Sequence, residues 1–232
     1  MSHFDFASIV SSSTAICPHL FRRLAFPCQS GQIAPLPTTW REQREIFKRT
    51  KTRAPSQQGQ TQEFKELQKD DIVFYPCGRP LEREADVPLT LLHPIFGRFV
   101  DDCGKIMPGR EDYAIAHQLK EKMSKFYPNE GERRREICEA LQEYGIPIYP
   151  GPIGASEHTT DGHVCTCNRP ILILEVKNDI GWKGAEPSLQ LVLYFRIFCD
   201  QHKLWDDEST CHPCLVIFVA GEQSVVLSVR LR

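Results

Sequence analysis

The sequence predicts an α/β domain with a mixed sheet, and three observations carry that expectation. Residues 171–176 (ILILEV) and 214–220 (CLVIFVA) are β-compatible runs, apolar on both faces as central strands are. Residues 185–201, between them, are apolar nearly all round and place Pro187 in the first turn, which reads as a buried helix. Two segments of helical period, 110–126 and 130–144, precede these.

In chain order, residues 1–38 contain Pro, Ser and Gln with little periodicity and read as poorly ordered. Residues 40–52 (WREQREIFKRTKT) form a short basic segment. Glu42 and Glu45 dilute its charge, which favours a solvated helix face over a nucleic-acid or membrane-surface patch. The Gln-rich stretch 54–61 reads as a linker. The expected layout is therefore a poorly ordered region at 1–60, a lead-in at 61–90 and a folded domain at 91–221, beginning with HPIFGRFVDDC.

In the helix at 110–126, Tyr113, Ala116, Leu119, Met123 and Phe126 recur at helical spacing, and Pro128 stops it. In the helix at 130–144, Ile137, Leu141 and Tyr144 share a stripe, with Gly145 as the C-cap. Residues 146–149 read as a short strand, 151–154 as a turn and 159–165 as a strand or hairpin arm. Residues 222–232 read as a tail. The ending VVLSVRLR lacks a clear terminal element, which suggests a piece or short version of a longer protein.

The chain has 232 residues, 41% hydrophobic and 25% charged, with a formal net charge of −2. That composition suits an ordinary globular protein and excludes a wholly cationic nucleic-acid binder, although a local basic surface stays open. No apolar run is long enough for a membrane span, so no membrane partner is expected. The ten cysteines follow no disulfide framework and no secretory signal precedes them. They read as reduced thiols of an intracellular protein, nuclear or cytoplasmic. A mitochondrial transit peptide is the lesser alternative, since residues 1–41 are Ser-rich and acid-poor but interrupted by Pro27, Pro35 and Pro37.

The chemistry concentrates in one acidic constellation. Alternation along a strand puts Glu175 and Lys177 on the same face of ILILEVK. Asp161 lies fourteen residues upstream in Thr-Thr-Asp-Gly-His, on the neighbouring strand, so the Asp161 and Glu175 carboxylates can converge across the pair. Two hard oxygen ligands suit Mg²⁺ or Mn²⁺. Gln190 and Tyr194 sit four apart on the following helix and share a face. A glutamine in an apolar helix needs a polar partner, and the acidic site is the obvious one. Each feature has a bland reading: a strand-end ion pair, an Asp-Gly turn, or core polarity satisfied by backbone.

Their order is more specific. Asp161, then Glu175-x-Lys177 on a hydrophobic strand, then Gln190 and Tyr194 on the next helix resembles the PD-(D/E)XK nuclease superfamily, closest to its RecB-like, exonuclease-like branch. The resemblance covers roughly the C-terminal half to three-fifths of the chain. It implies a restriction-endonuclease-like core, α-β-β-β-α-β, from about residue 130 to 221. It also implies metal-dependent phosphodiester hydrolysis of nucleic acid, with DNA favoured over RNA. Asp161, Glu175 and the Val176 backbone carbonyl would hold Mg²⁺ or Mn²⁺, which would polarise the scissile phosphate and activate a water. Lys177 would orient that water or stabilise developing charge. Gln190 and Tyr194 would shape the site or contact the backbone. Lys120, Lys122, Lys125, Arg133, Arg134, Arg135 and Lys183 are the basic residues available to phosphates. Thr160 departs from the proline that often precedes the Asp. The family's additional helix glutamate has three candidates, Glu132, Glu136 and Glu139. Locally, HPIFGRFVDDC, ILEVKNDIG and GAEPSLQLVLYF are similar to an uncharacterised fungal domain found in large crinkler-like or kinase-associated proteins.

Other constellations are weaker. His158, His163, Cys165 and Cys167 with Cys211 and Cys214 could hold structural zinc, but Cys-x-Cys is not the usual spacing and Cys214 opens an apolar strand. A redox role for Cys211 and Cys214 is disfavoured because the pair precedes a strand. P-loop, nucleophile-elbow and kinase signatures are absent from the sequence. Two alternatives to an enzyme stand beside it. One is a degenerate nuclease fold serving as a binding or recruitment module, with the same residues converging; the other is an interaction domain with those residues dispersed.

Overall fold

The computed structural model describes residues 7–10, 53–67, 94–105, 107–178, 184–204, 212–221 and 223–231. The basic segment 40–52, Lys183 and Cys211 lie outside the described residues. A strand β1 (Ala7–Val10) and the helices α1 (Pro55–Gln58), α2 (Thr61–Leu67) and α3 (Pro94–Lys105) come first. Then follow α4 (Arg110–Met123), α5 (Glu130–Glu143), β2 (Tyr149–Pro152), β3 (Thr159–Thr166), β4 (Arg169–Lys177), α6 (Pro187–Gln201), β5 (His212–Ala220) and β6 (Gln223–Leu231). The fold is mixed α/β.

The strands form one sheet in the order β1-β6-β5-β4-β3-β2, antiparallel at every step except β4 and β5, which run parallel with α6 as the crossover. Alternation on β4 sends Leu172, Leu174 and Val176 to one face and Ile173 to the other, which is why this strand reads as apolar without a period. The first face packs against Phe96 and Phe99 of α3, Leu119 and Met123 of α4, and Ile137 and Leu141 of α5. The second is covered by α6 through Leu191, Phe195 and Phe198, with Phe64 of α2 joining them. Helices thus lie on both faces of the sheet.

Local chemistry explains the boundaries. Asn129 caps α5 by accepting from the Glu132 amide, and Gly145, at φ +87°, ends it. The Ile146 amide then donates to Leu141 O at 2.9 Å and the Gly145 amide to Gln142 O at 2.8 Å, the paired bonds of a Schellman cap. Strands β3 and β4 close through Cys167 and Asn168, both at positive φ, as a two-residue hairpin of the primed type requires. Buried Arg133 locks the helical layer to the sheet. Its guanidinium donates to Met123 O at 2.9 Å, Lys125 O at 3.0 Å and Gly221 O at 2.7 Å, and it stacks over Tyr127.

Several elements differ from the expectation. Ala7–Val10, inside the region read as poorly ordered, pairs with β6 at the sheet edge. The tail 222–232 holds β6, whose backbone pairs with β5 along its whole length. The Gln-rich linker 54–61 holds α1, and α2 begins at its end. The Glu186 amide donates to Gly59 O at 2.9 Å, tying this segment to the start of α6. The strand expected at 146–149 begins only at Tyr149 and runs through the expected turn. Its prolines are tolerated because it is an edge strand. Helix α4 stops at Met123, leaving Phe126 beyond it and fully exposed, and Tyr113 also faces solvent. The buried stripe of α4 runs instead through Asp112, Leu119 and Met123. Asp112 accepts from Tyr144 Oη at 2.7 Å and from the Gly109 amide at 2.7 Å, so a carboxylate sits where Tyr113 was expected to face.

Replacing the Arg133 guanidinium leaves three carbonyl acceptors short of a donor, so Arg133→Met is expected to destabilise the fold by about 3 kcal/mol. The urea midpoint at unchanged slope checks this; a change below about 1 kcal/mol would show that water replaces the guanidinium without loss.

Candidate active site

The site forms where two neighbouring strands part. Pairing between β3 and β4 runs from the hairpin to Gly162 opposite Leu174. Beyond that point β4 continues beside β5 as far as Lys177 opposite Ala220, while β3 stays with β2 at Thr160 opposite Gly151. Carrying the β3–β4 register one step further sets Asp161 opposite Glu175, so the two carboxylates share one face of the sheet. The Val176 amide donates to Asp161 Oδ2 at 2.8 Å, so a side chain takes the place of the missing strand partner. Cys138 Sγ lies 3.6 Å from the Asp161 carbonyl and ties α5 to the same point.

Glu175 is 1% exposed, a carboxylate in the middle of the sheet. One oxygen, Oε1, meets Lys177 Nζ at 2.8 Å; the other, Oε2, is buried and has no hydrogen-bond partner among the described residues. Burial first, and the nearby Asp161 charge second, push the Glu175 carboxyl up to about 8, outweighing the pull of Lys177 in the other direction. For Lys177, burial pulls the ammonium down, but Glu175, Glu130 and Asp161 outweigh it, so the net direction is upward and Lys177 holds its charge. Two cations of the chain therefore sit on the two carboxylates: Lys177 on Glu175, and Arg134 Nη1 on Asp161 Oδ1 at 3.2 Å.

Helix α6 lies over the same face. Gln190 and Tyr194, both buried, bond to each other: Gln190 Nε2 donates to Tyr194 Oη at 2.8 Å. The polar partner of Gln190 is thus Tyr194 rather than a carboxylate, which corrects the expectation. Among the described residues the side-chain carbonyl Gln190 Oε1 is buried and unpartnered, like Glu175 Oε2. Burial and then the Glu175 charge raise the Tyr194 hydroxyl, which keeps it neutral and able to donate.

Of the three candidate helix glutamates, Glu139 is exposed and the other two have partners elsewhere. Glu132 belongs to the N-terminal cap of α5 with Asn129, and Glu136 pairs with Lys122 at 3.3 Å. Glu130, not singled out from the sequence, reaches Lys177 Nζ at 3.6 Å. Arg134 was named only among several phosphate-binding candidates. Their spacing of four puts both on one helix face, but Glu132 and Glu136, and Arg135 and Glu139, share that spacing, so it does not separate them from their neighbours.

The fit to a divalent cation can be tested on the residues themselves. Asp161 and Glu175 supply oxygen ligands on one face, and Glu175 Oε2 and Gln190 Oε1 are buried without a partner among the described residues; once Glu175 gives up its proton both are acceptors, as an ion or its water would require. The donor set suits Mg²⁺ or Mn²⁺. Among the described residues no group of three or more His, Cys, Asp or Glu is gathered for a metal. The suggested zinc ligands have other surroundings. Cys165 and Cys167 are exposed, Cys214 is buried in β5, and His163 bonds Thr160 Oγ1 at 2.8 Å and lies edge-on to Phe198.

Proton counting gives a sign. Glu175 ionises near 4.5 when unfolded but holds its proton to about 8 when folded, so the folded chain binds more protons between those values. Without divalent cation, stability should fall as pH rises through that window, by at most about 1.4 kcal/mol per pH unit. Glu175→Gln, which stays neutral, should remove this part of the slope. Denaturation midpoints from acid to mildly alkaline pH, wild type against variant, check it, and a constant difference would mean that Glu175 titrates normally.

Comparison of the chain with family models, with curated proteins and with solved structures finds no match.

Proposed function

We propose that the segment from α5 to β5 is a PD-(D/E)XK-type nuclease domain that hydrolyses phosphodiester bonds in nucleic acid, DNA in the first instance, with Mg²⁺ or Mn²⁺. The observation that carries this reading is the pairing of Asp161 and Glu175 at the parting of β3 and β4, with Lys177 on the same face and one Glu175 oxygen buried without a partner among the described residues. The order α5-β2-β3-β4-α6-β5 also agrees with the α-β-β-β-α-β core that the sequence resemblance implies.

Asp161, Glu175 and the Val176 carbonyl would hold the cation, which supplies charge to the phosphate and lowers the pKa of an attacking water. Lys177, held by Glu175 and Glu130, projects its ammonium beside those ligands, where it orients the water or meets charge developing on phosphate oxygens. The Tyr194 hydroxyl, fixed by Gln190, has its own hydrogen to give. Burial of the carboxylates lowers the local dielectric and strengthens each of these interactions.

A second reading is favoured by a specific feature. Each carboxylate already has a cation of the chain on it, Arg134 or Lys177, an arrangement that neutralises the site without metal. A nuclease fold kept as a binding module would look the same.

Cleavage of supercoiled and linear DNA with Mg²⁺ or Mn²⁺ separates the two. The nuclease reading expects metal-dependent cleavage that falls by about 10²–10³-fold in Lys177→Ala, and further in Glu175→Gln, with the fold retained by circular dichroism. A folded wild-type chain that neither cleaves nor binds Mn²⁺ leaves the binding-module reading in place.

A further inference from the structure

Three consecutive arginines on α5 have three different fates. Arg133 is buried and spends its guanidinium on backbone carbonyls, and Arg135 is exposed. Arg134 alone reaches the site. Its side chain is 39% exposed, and among the described residues its one polar contact is Nη1 on Asp161 Oδ1 at 3.2 Å. That is a monodentate contact from a group with five donors in a planar fork, so most of its capacity is unused. Glu130, one turn earlier on the same helix face, pairs with Lys177. One helix face therefore delivers an acid to the site's lysine and a base to its aspartate.

The two roles available to Asp161, ion-pair partner and metal ligand, compete. A guanidinium on Oδ1 satisfies the charge that a divalent cation needs, and the two cations repel at such range. A displaced Arg134 remains at the rim with its fork free, and the natural partner for a planar fork beside a metal-bound phosphodiester is a phosphate oxygen pair.

We propose that Arg134 is a phosphate-contacting residue held in reserve on Asp161. It neutralises the carboxylate in the metal-free protein, leaves it when a divalent cation is bound, and then grips the nucleic-acid phosphate. This rests on the nuclease reading above and names how the same site is kept shut and how it takes its substrate.

The test uses the full chain with Arg134→Gln and Arg134→Lys. Mn²⁺ affinity is read by electron paramagnetic resonance without nucleic acid, and DNA cleavage is measured separately at saturating Mn²⁺. Arg134→Gln should bind Mn²⁺ on the order of tenfold more tightly, because the competing charge is gone. It should nevertheless cleave about 10²-fold more slowly, because the phosphate grip is gone. Arg134→Lys keeps the charge and should bind Mn²⁺ as the wild type does, yet cleave at least about tenfold more slowly for want of the fork. It carries the test alone if the glutamine variant does not fold. Unchanged or weaker Mn²⁺ binding in Arg134→Gln, with normal binding in the wild type, overturns the competition. Undiminished cleavage in either variant overturns the phosphate contact. A wild-type chain that binds no Mn²⁺ removes the nuclease reading itself, an outcome distinct from both.

Discussion

Glu175 is where the demands on this fold collide. It occupies a strand whose other residues are chosen for burial, and it is itself buried, so its charge must be met inside the sheet or given up. Lys177, two residues on and on the same face, meets half of that demand. The other half, on Oε2, goes unmet among the described residues. A packed apolar residue would serve the strand better, since buried ion pairs rarely stabilise relative to apolar replacements of similar size. The local cost is offset by the two core layers that hold β4 in place: α3 to α5 on one face and α6 on the other.

The parting of β3 from β4 gives that pair an opening. Had the ladder continued, the Val176 amide would have met a backbone carbonyl and Asp161 would have stood as an ordinary cross-strand neighbour. Instead Asp161 turns its carboxylate onto the amide and stays beside Glu175. Strand β3 can do this without unravelling because β2 still pairs with it on its outer side. The edge strand β2, rich in proline and weak as a strand in its own right, thus steadies the residue on which the site depends.

How much of this was legible follows from where the deciding forces act. The central strands, the buried helix and the α5 cap were readable because apolar runs, Pro187 and Gly145 act through their own sequence neighbourhood. The convergence of Asp161, Glu175 and Lys177 was readable because alternation and hairpin spacing are also local. Strand β6 was missed because its pairing is supplied by β5, and β1 because its partner lies at the far end of the chain. The α4 face was misread by one residue because Asp112, polar and apparently a surface residue, is buried on the strength of a bond to Tyr144, thirty-two positions away. Glu130 and Arg134 were hidden among the eight charged residues of one helix. Only the packing angle of α5 decides which of them meet the sheet.

Charge placement around the site then bears on function more than charge total does. A formal net charge of −2 gives the chain no net attraction for a polyanion, so local placement decides. What it has is a short series of charged groups across the strand parting: Lys177 between Glu130 and Glu175, and Asp161 against Arg134. Each carboxyl group of the site faces a cation of the chain, so an external cation would have to compete with it. On the proposed nuclease reading, a divalent cation would compete with both of these partners. Releasing them beside a bound phosphate would turn the resident cations from counter-ions of the protein into counter-ions of the substrate. A site built this way would bind nucleic acid weakly before it is loaded with metal and more firmly afterwards, because the positive groups that hold the phosphate are the same ones that hold the carboxylates when metal is absent.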